Sequence, residues 1–207
     1  MTMKIKATDI VTFIVIFVLV SGLTGLSMYR EDKNTQLPEN SFYFTSDNGR
    51  EYLFAEDGGT FIAYLPLSTG QYYTMGFRVD PRELSETPID LATTNATYAA
   101  KAIYATVNPF DSPAKVGVAK LQLARSISLM NPVQITDAYT KDSDPIDPDV
   151  PIKTCSYATS ETLVIEFKIG TKDEVYLDGN CVIVEGKTAD SLIESSDRLG
   201  YALVGIY

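Results

Sequence analysis

The chain's two cysteines, Cys155 and Cys181, stand in the run "TCSYATSETLVIEFKIGTKDEVYLDGNCVIVEGK". Two thiols at such a spacing can be a redox pair, part of a metal site, or a covalent staple. A C-x-x-C redox motif is absent. Zinc wants four ligands, and the sequence contains no histidine to complete a set begun by two thiolates. A disulfide between Cys155 and Cys181 is therefore the expectation, on condition that this stretch faces an oxidising compartment.

Other chemistry is thinly supplied. Without histidine there is no Ser-His-Asp or Cys-His arrangement and no side chain that titrates near neutrality unaided. Carboxylate and Ser-Lys mechanisms survive that loss, yet no spacing singles out one pair among the 27 acids. "GKT" at Gly186 to Thr188 lacks the earlier glycine that a phosphate-cradling loop requires. The expectation is a non-catalytic protein with no cofactor, an enzyme built on carboxylates being the lowest alternative. Asp142, Asp144, Asp147 and Asp149 alternate in "TKDSDPIDPDVP", a spacing that can ligate calcium. No central glycine or terminal bidentate glutamate accompanies them, and three prolines stiffen the run, so a solvated connector is expected ahead of a calcium site. Asn95-Ala96-Thr97 is a glycosylation sequon.

The compartment is decided at the other end. Ile10 to Tyr29, "IVTFIVIFVLVSGLTGLSMY", carries no charge and shows no polar face. As a helix it would be roughly 30 Å long, the thickness of a bilayer's hydrocarbon core. Lys4 and Lys6 precede it and the balanced "REDKN" follows, which places the amino terminus in the cytoplasm and the remainder outside. A permanent anchor is expected. A cleaved secretory signal and a pilin-like leader cut near "IKATDI" are the alternatives, and both also deliver the remainder to the exterior. A net charge of −10 argues against nucleic acid as a partner. The bilayer, through Ile10 to Tyr29, and a protein at the cell surface are the partners expected.

The elements that must position these residues can be outlined. Residues 1–9 are read as a cytoplasmic terminus, 10–29 as the span, 30–40 as a tether and 41–207 as an extracytoplasmic α+β domain. Within it 41–90 is β-rich and 100–207 is α/β, a mixed sheet packed by two helices. "SFYFT", "EYLFAE", "GTFIAYLPL" and "QYYTMGFRVD" read as strands, the first two joined through Asn48-Gly49. Their tyrosines, Tyr64, Tyr72 and Tyr73, are expected to pack on the strand surface rather than form a recognition patch. "DPREL" suggests one helical turn. "KAIYATV", a helix from Pro113 to Met130 capped by Ser112, and "PVQITDAY" form a βαβ-like unit. In that helix Val116, Ala119, Leu123, Ile127 and Met130 make a stripe that Val118 and Leu121 widen, so it should be largely buried. "TLVIEFKIG" alternates, "EVYLDGNCVIVEG" is a hairpin turning near Asp178-Gly179, and a helix from near Thr188 should reach the last residue.

The carboxy-terminal run, with "GNCVIVEGK" and "DRLGYALVGIY", resembles small membrane-anchored proteins of archaea. Its "VIVEGKTADSLIESSDRL" portion is similar to strand–helix ends of archaeal S-layer segments. The resemblance covers about the second half of the chain and transfers no site residue. It implies a cell-surface or envelope protein that binds or assembles, with a pilin-like or filament-accessory subunit as the alternative.

Overall fold

The computed structural model describes residues 38–111, 113–141, 147 and 149–207. The expected span Ile10 to Tyr29, its flanks through 37, and the capping Ser112 lie outside them. Among the described residues no helix is long and apolar enough to cross a membrane.

Glu39–Tyr207 forms one unit of two sheets and three helices. The first sheet is an antiparallel meander in sequence order, β1 (Ser41–Thr45), β2 (Glu51–Asp57), β3 (Thr60–Pro66) and β4 (Tyr72–Phe77). Asn48-Gly49 does sit in its first turn, Gly49 at φ 80°, a conformation glycine adopts without strain. The turn expected in "DPREL" is a 3-10 turn, Pro81–Glu83, capped by Asp80. Then come α1 (Ala92–Ala99), β5 (Ala102–Val107), α2 (Pro113–Met130), β6 (Gln134–Tyr139), β7 (Thr162–Ile169), β8 (Glu174–Asp178), β9 (Cys181–Gly186) and α3 (Ala189–Leu203). These strands make a second sheet in the order β6-β5-β7-β9-β8, all neighbours parallel except β8 against β9.

Helices α2 and α3 lie between the sheets. Val116, Ala119, Leu123 and Ile127 of α2 and Leu192, Leu199 and Leu203 of α3 pack on Ile103, Ile165, Phe167, Val182 and Val184 of the five-stranded sheet. On the opposite side Tyr201 of α3 enters the meander's core with Phe54 and Phe77, its ring stacked 3.8 Å from that of Phe77. Small residues let the layers close. Ser196 Oγ donates to Ala119 O at 2.8 Å, and a Cβ on Gly200 would meet Ser126 Oγ at 2.9 Å. The two expected sub-units thus share one helical layer, because α3 has an apolar stripe toward each sheet.

Two expectations are corrected. Helix α2 buries two faces, not its whole surface. Gln122 and Ser126 turn to the meander, leaving Leu121 54% and Met130 45% exposed. Tyr72 and Tyr73 are 61% and 42% exposed, and Tyr72 meets Tyr64 edge-on, a packing contact on the strand surface. Helix α3 stops at Leu203. Gly205 takes φ 80° and the Ile206 N–H bonds back to Tyr201 O, a left-handed cap that folds Ile206 under the domain. Its start agrees with the sequence: Thr188 Oγ1 accepts from the Ser191 N–H while Ser191 Oγ accepts from the Thr188 N–H.

One close approach sets how α3 leaves β9. A Cβ on Gly186 would lie 2.2 Å from Leu192 N, a backbone atom that cannot move aside alone. Gly186→Ala should cost about 2–3 kcal/mol of stability, read as a lowered urea midpoint with an unchanged slope.

Candidate functional site

The cysteines meet on the sheet face turned away from the helices. Period-two alternation sends Leu163, Ile165 and Phe167 of β7 to the helices and Val164, Glu166 and Lys168 to this outer face. The register sets Val164 beside Cys181, Glu166 beside Ile183 of β9, and Glu166 beside Thr106 of β5. After β6 the chain follows that strand's edge, where the Tyr139 N–H donates to Pro151 O and the Lys153 N–H to Tyr139 O. It then reaches the face as a 3-10 turn, Cys155–Tyr157. Cys155 and Cys181 form a disulfide there, with Cα atoms 5.2 Å apart and no free cysteine remaining. The sequence expectation for this pair holds.

The bridge does not stand alone. Cys181 is fully buried, whereas Cys155 is half-buried beside exposed Ser156 and Tyr157. Glu166 Oε2 lies 3.3 Å from Cys155 Sγ, and both sulfurs and that carboxyl fall within 4.8 Å of one another. These atoms could join two thiolates and a carboxylate around a metal only with the bridge open. Burial pushes the Glu166 carboxyl up, Lys168 opposing and Asp178 reinforcing it. Thr106, its register neighbour, has a fully buried hydroxyl with no hydrogen-bond partner among the described residues. Lys153, two residues before Cys155, places Nζ over the Tyr157 ring at 4.1 Å and near the Tyr104 ring at 5.2 Å.

A second acid on the same face behaves oppositely. Burial alone would raise Glu185, but its carboxylate accepts from the Thr171 N–H at 2.7 Å, the Tyr176 hydroxyl at 3.0 Å and the Lys172 N–H at 3.2 Å, with Lys168 Nζ at 3.4 Å. Those donors hold it below the usual carboxylate range. Two neighbouring carboxyls are thus set apart by their surroundings, Glu166 toward the neutral form and Glu185 toward the charged one.

The other sites read from the sequence are not drawn to this face. Asp142 and Asp144 lie outside the described residues. Asp147 Oδ1 accepts from the Asp149 N–H at 3.2 Å, a local turn. Asn95 is exposed on α1, while Thr97 of the same sequon is buried with its hydroxyl donating to Thr93 O. At the carboxyl ends of β5 and β6 a cleft of about 210 Å³ is lined by Asn108, Asp111, Lys120 and Tyr139. Its cation, Lys120, is engaged by Asp137 at 2.7 Å.

Sequence reasoning missed Glu166 and Asp197. Glu166 gave no signal, being one polar position in an alternating strand. Asp197 had a faint one, since "ESSDR" interrupts an apolar helix face. It is 1% exposed in α3, and its Oδ2 accepts from the backbone N–H groups of Arg78 and Val79 at 2.6 and 2.9 Å. Burial pushes it up to about 7 despite those bonds. It ties the end of β4 to α3, a structural duty. No family model, curated protein or solved structure matches the chain.

Proposed function

We propose that the chain is a single-pass membrane protein, anchored through Ile10 to Tyr29, that carries Glu39–Tyr207 outside the cell as a non-catalytic binding or assembly domain. The observation that carries this reading is the Cys155–Cys181 disulfide, because such bonds form and persist in oxidising compartments. The uncharged run with Lys4 and Lys6 before it supplies the matching topology. The likeness of the carboxy-terminal run to archaeal surface proteins points the same way.

The meander's open edge favours a protein partner. Among the described residues strand β4 pairs only with β3, and Gln122 Nε2 donates to Gly76 O at 3.0 Å, so that carbonyl points outward. By alternation the backbone of Thr74 and Tyr72 points outward too, on the exposed half of the strand. Beside it runs a groove of Tyr73, Leu121, Ala124 and Arg125. The occupant such an edge suits is an extended segment of another protein, with an apolar side chain for Leu121 and an acidic one for Arg125.

The test is protease added to intact cells, followed by the mass of the mature amino terminus. The domain should be digested along with a known surface marker, and the anchor should retain Met1 or Thr2. A domain spared while the marker is cut would overturn the topology, and a chain beginning near Thr8 would replace the anchor by a pilin-like subunit.

A further inference from the structure

We infer that the Cys155–Cys181 bridge is an exchangeable disulfide, with Cys155 as the sulfur that meets an external dithiol or protein disulfide and Glu166 as the acid–base group serving it. Four features of the outer face support this. First, the sulfurs are unequal: Cys181 is sealed within the sheet, while Cys155 lies above it on a half-buried turn. A nucleophile therefore has one sulfur to approach, and the buried one is the leaving group.

Second, a carboxyl sits 3.3 Å from Cys155 Sγ. A closed disulfide has no proton to donate and accepts hydrogen bonds weakly, so a half-buried glutamate gains little from it. It gains once Cys155 becomes a thiol or thiolate. Burial keeps this carboxyl nearer the neutral form than an ordinary glutamate, so a proton is held beside the sulfurs to higher pH than usual. Third, Thr106 holds a buried hydroxyl beside Glu166 that has no hydrogen-bond partner among the described residues, a donor in reserve for the carboxylate. Fourth, the segment carrying Cys155 is held independently of the bridge. Pro151 and Lys153 bond to Tyr139, and the Tyr157 and Ala158 N–H groups close the turn on Thr154 O and Cys155 O. Opening the bond does not require unfolding the sheet.

In the reducing direction, a thiolate of the dithiol attacks Cys155 Sγ, the S–S bond breaks, and its electron pair passes to Cys181 Sγ. That sulfur is sealed from solvent and takes the Glu166 proton, the carboxyl within 4.8 Å of it then regaining one from solvent. The dithiol's second thiolate then attacks its own sulfur in the mixed disulfide. Cys155 Sγ leaves with the electron pair and takes the Glu166 proton, which solvent restores. Two thiols appear on the protein and one disulfide on the reductant. In the oxidising direction Glu166 removes the Cys155 proton, and that thiolate attacks a partner's disulfide and expels one partner thiolate. The Cys181 thiolate, its proton passed to Glu166, then attacks Cys155 Sγ and expels the other, so the bridge is restored and the partner leaves as a dithiol.

The experiment uses the full chain in detergent with dithiothreitol at pH 7. New thiols are counted by alkylation and mass, and near-ultraviolet circular dichroism monitors the fold. The rate should rise in proportion to dithiothreitol while the native spectrum persists, and Glu166→Gln should slow it by at least about tenfold. A rate that plateaus at the unfolding rate, or equal rates in the two proteins, would overturn the inference. A second comparison avoids that substitution. Cys155 in the Cys181→Ser chain should react with an aromatic disulfide at least about tenfold faster than Cys181 in the Cys155→Ser chain, and parity would sink the proposed asymmetry. Neither readout depends on the compartment, so failure here leaves the proposed topology standing.

Discussion

Replacing Cys155 and Cys181 together by alanine should lower the domain's stability by about 3.5 kcal/mol. The bridge closes a separation of 26 residues, and in the chain-entropy argument its main effect is to restrict the unfolded chain. What remains on the outer face without it is a small cluster in which Val164 and Ile183 touch Tyr104, Ala158 and Tyr176. That cluster keeps the 3-10 turn in place but adds no equivalent restriction. The loss should appear as a lower urea midpoint, followed by far-ultraviolet circular dichroism because the chain has no tryptophan. Native, unreduced protein should give a thiol count of zero. Equal midpoints for wild type and variant would show that the covalent link is energetically idle.

A comparable effect is expected from pH acting on Asp197. Its folded value is pushed up to about 7, first by burial, against an ordinary value of 3.8. Between those two pH values the folded chain holds a proton that the unfolded chain has released. Stability from this group is therefore complete below about pH 4, falls as pH rises toward 7, and is flat above, a change on the order of 4 kcal/mol. The depressed Glu185 works in the opposite sense at lower pH, so the decisive quantity is the difference between wild type and Asp197→Asn. Asparagine keeps an acceptor for the Arg78 and Val79 N–H groups and carries no charge. The two proteins should be within about 1 kcal/mol at pH 4.5, with the variant the more stable by several at pH 7.5. Asp197→Ala should instead be destabilised at every pH by about 2–3 kcal/mol, since two buried donors lose their acceptor. Parallel pH profiles for wild type and Asp197→Asn would refute the assignment.

Much of the fold was legible because it rests on local patterns. All four meander strands, the alternation of Leu163, Ile165 and Phe167, the Pro113 start of α2 and the Thr188 cap of α3 are short-range features that the chain's own neighbours enforce. Helix α1 was missed for the opposite reason. "ATTNATYA" is poor in strong helix formers and has no clear apolar period. It forms because Thr93 and Thr97 are buried with their hydroxyls bonded back to Asp90 O and Thr93 O. Asn131 of a distant segment then donates to the carbonyls of Thr97, Tyr98 and Ala100 at its end. Propensity could not foresee a cap lent from thirty residues away.

The sequence by itself determined that two cysteines would pair, which residues form the strands and the two longer helices to within their ends, and where an uncharged run lies. Each is a matter of composition or of periods two and 3.6, written along the chain. Only the tertiary structure decided that β9 inserts between β7 and β8, that α2 and α3 serve both sheets, and that Glu166 stands at the bridge while Asp197 is sealed under the meander. A carboxyl's chemistry is set by the dielectric and the donors around it, and those neighbours come from distant strands that no local pattern can name.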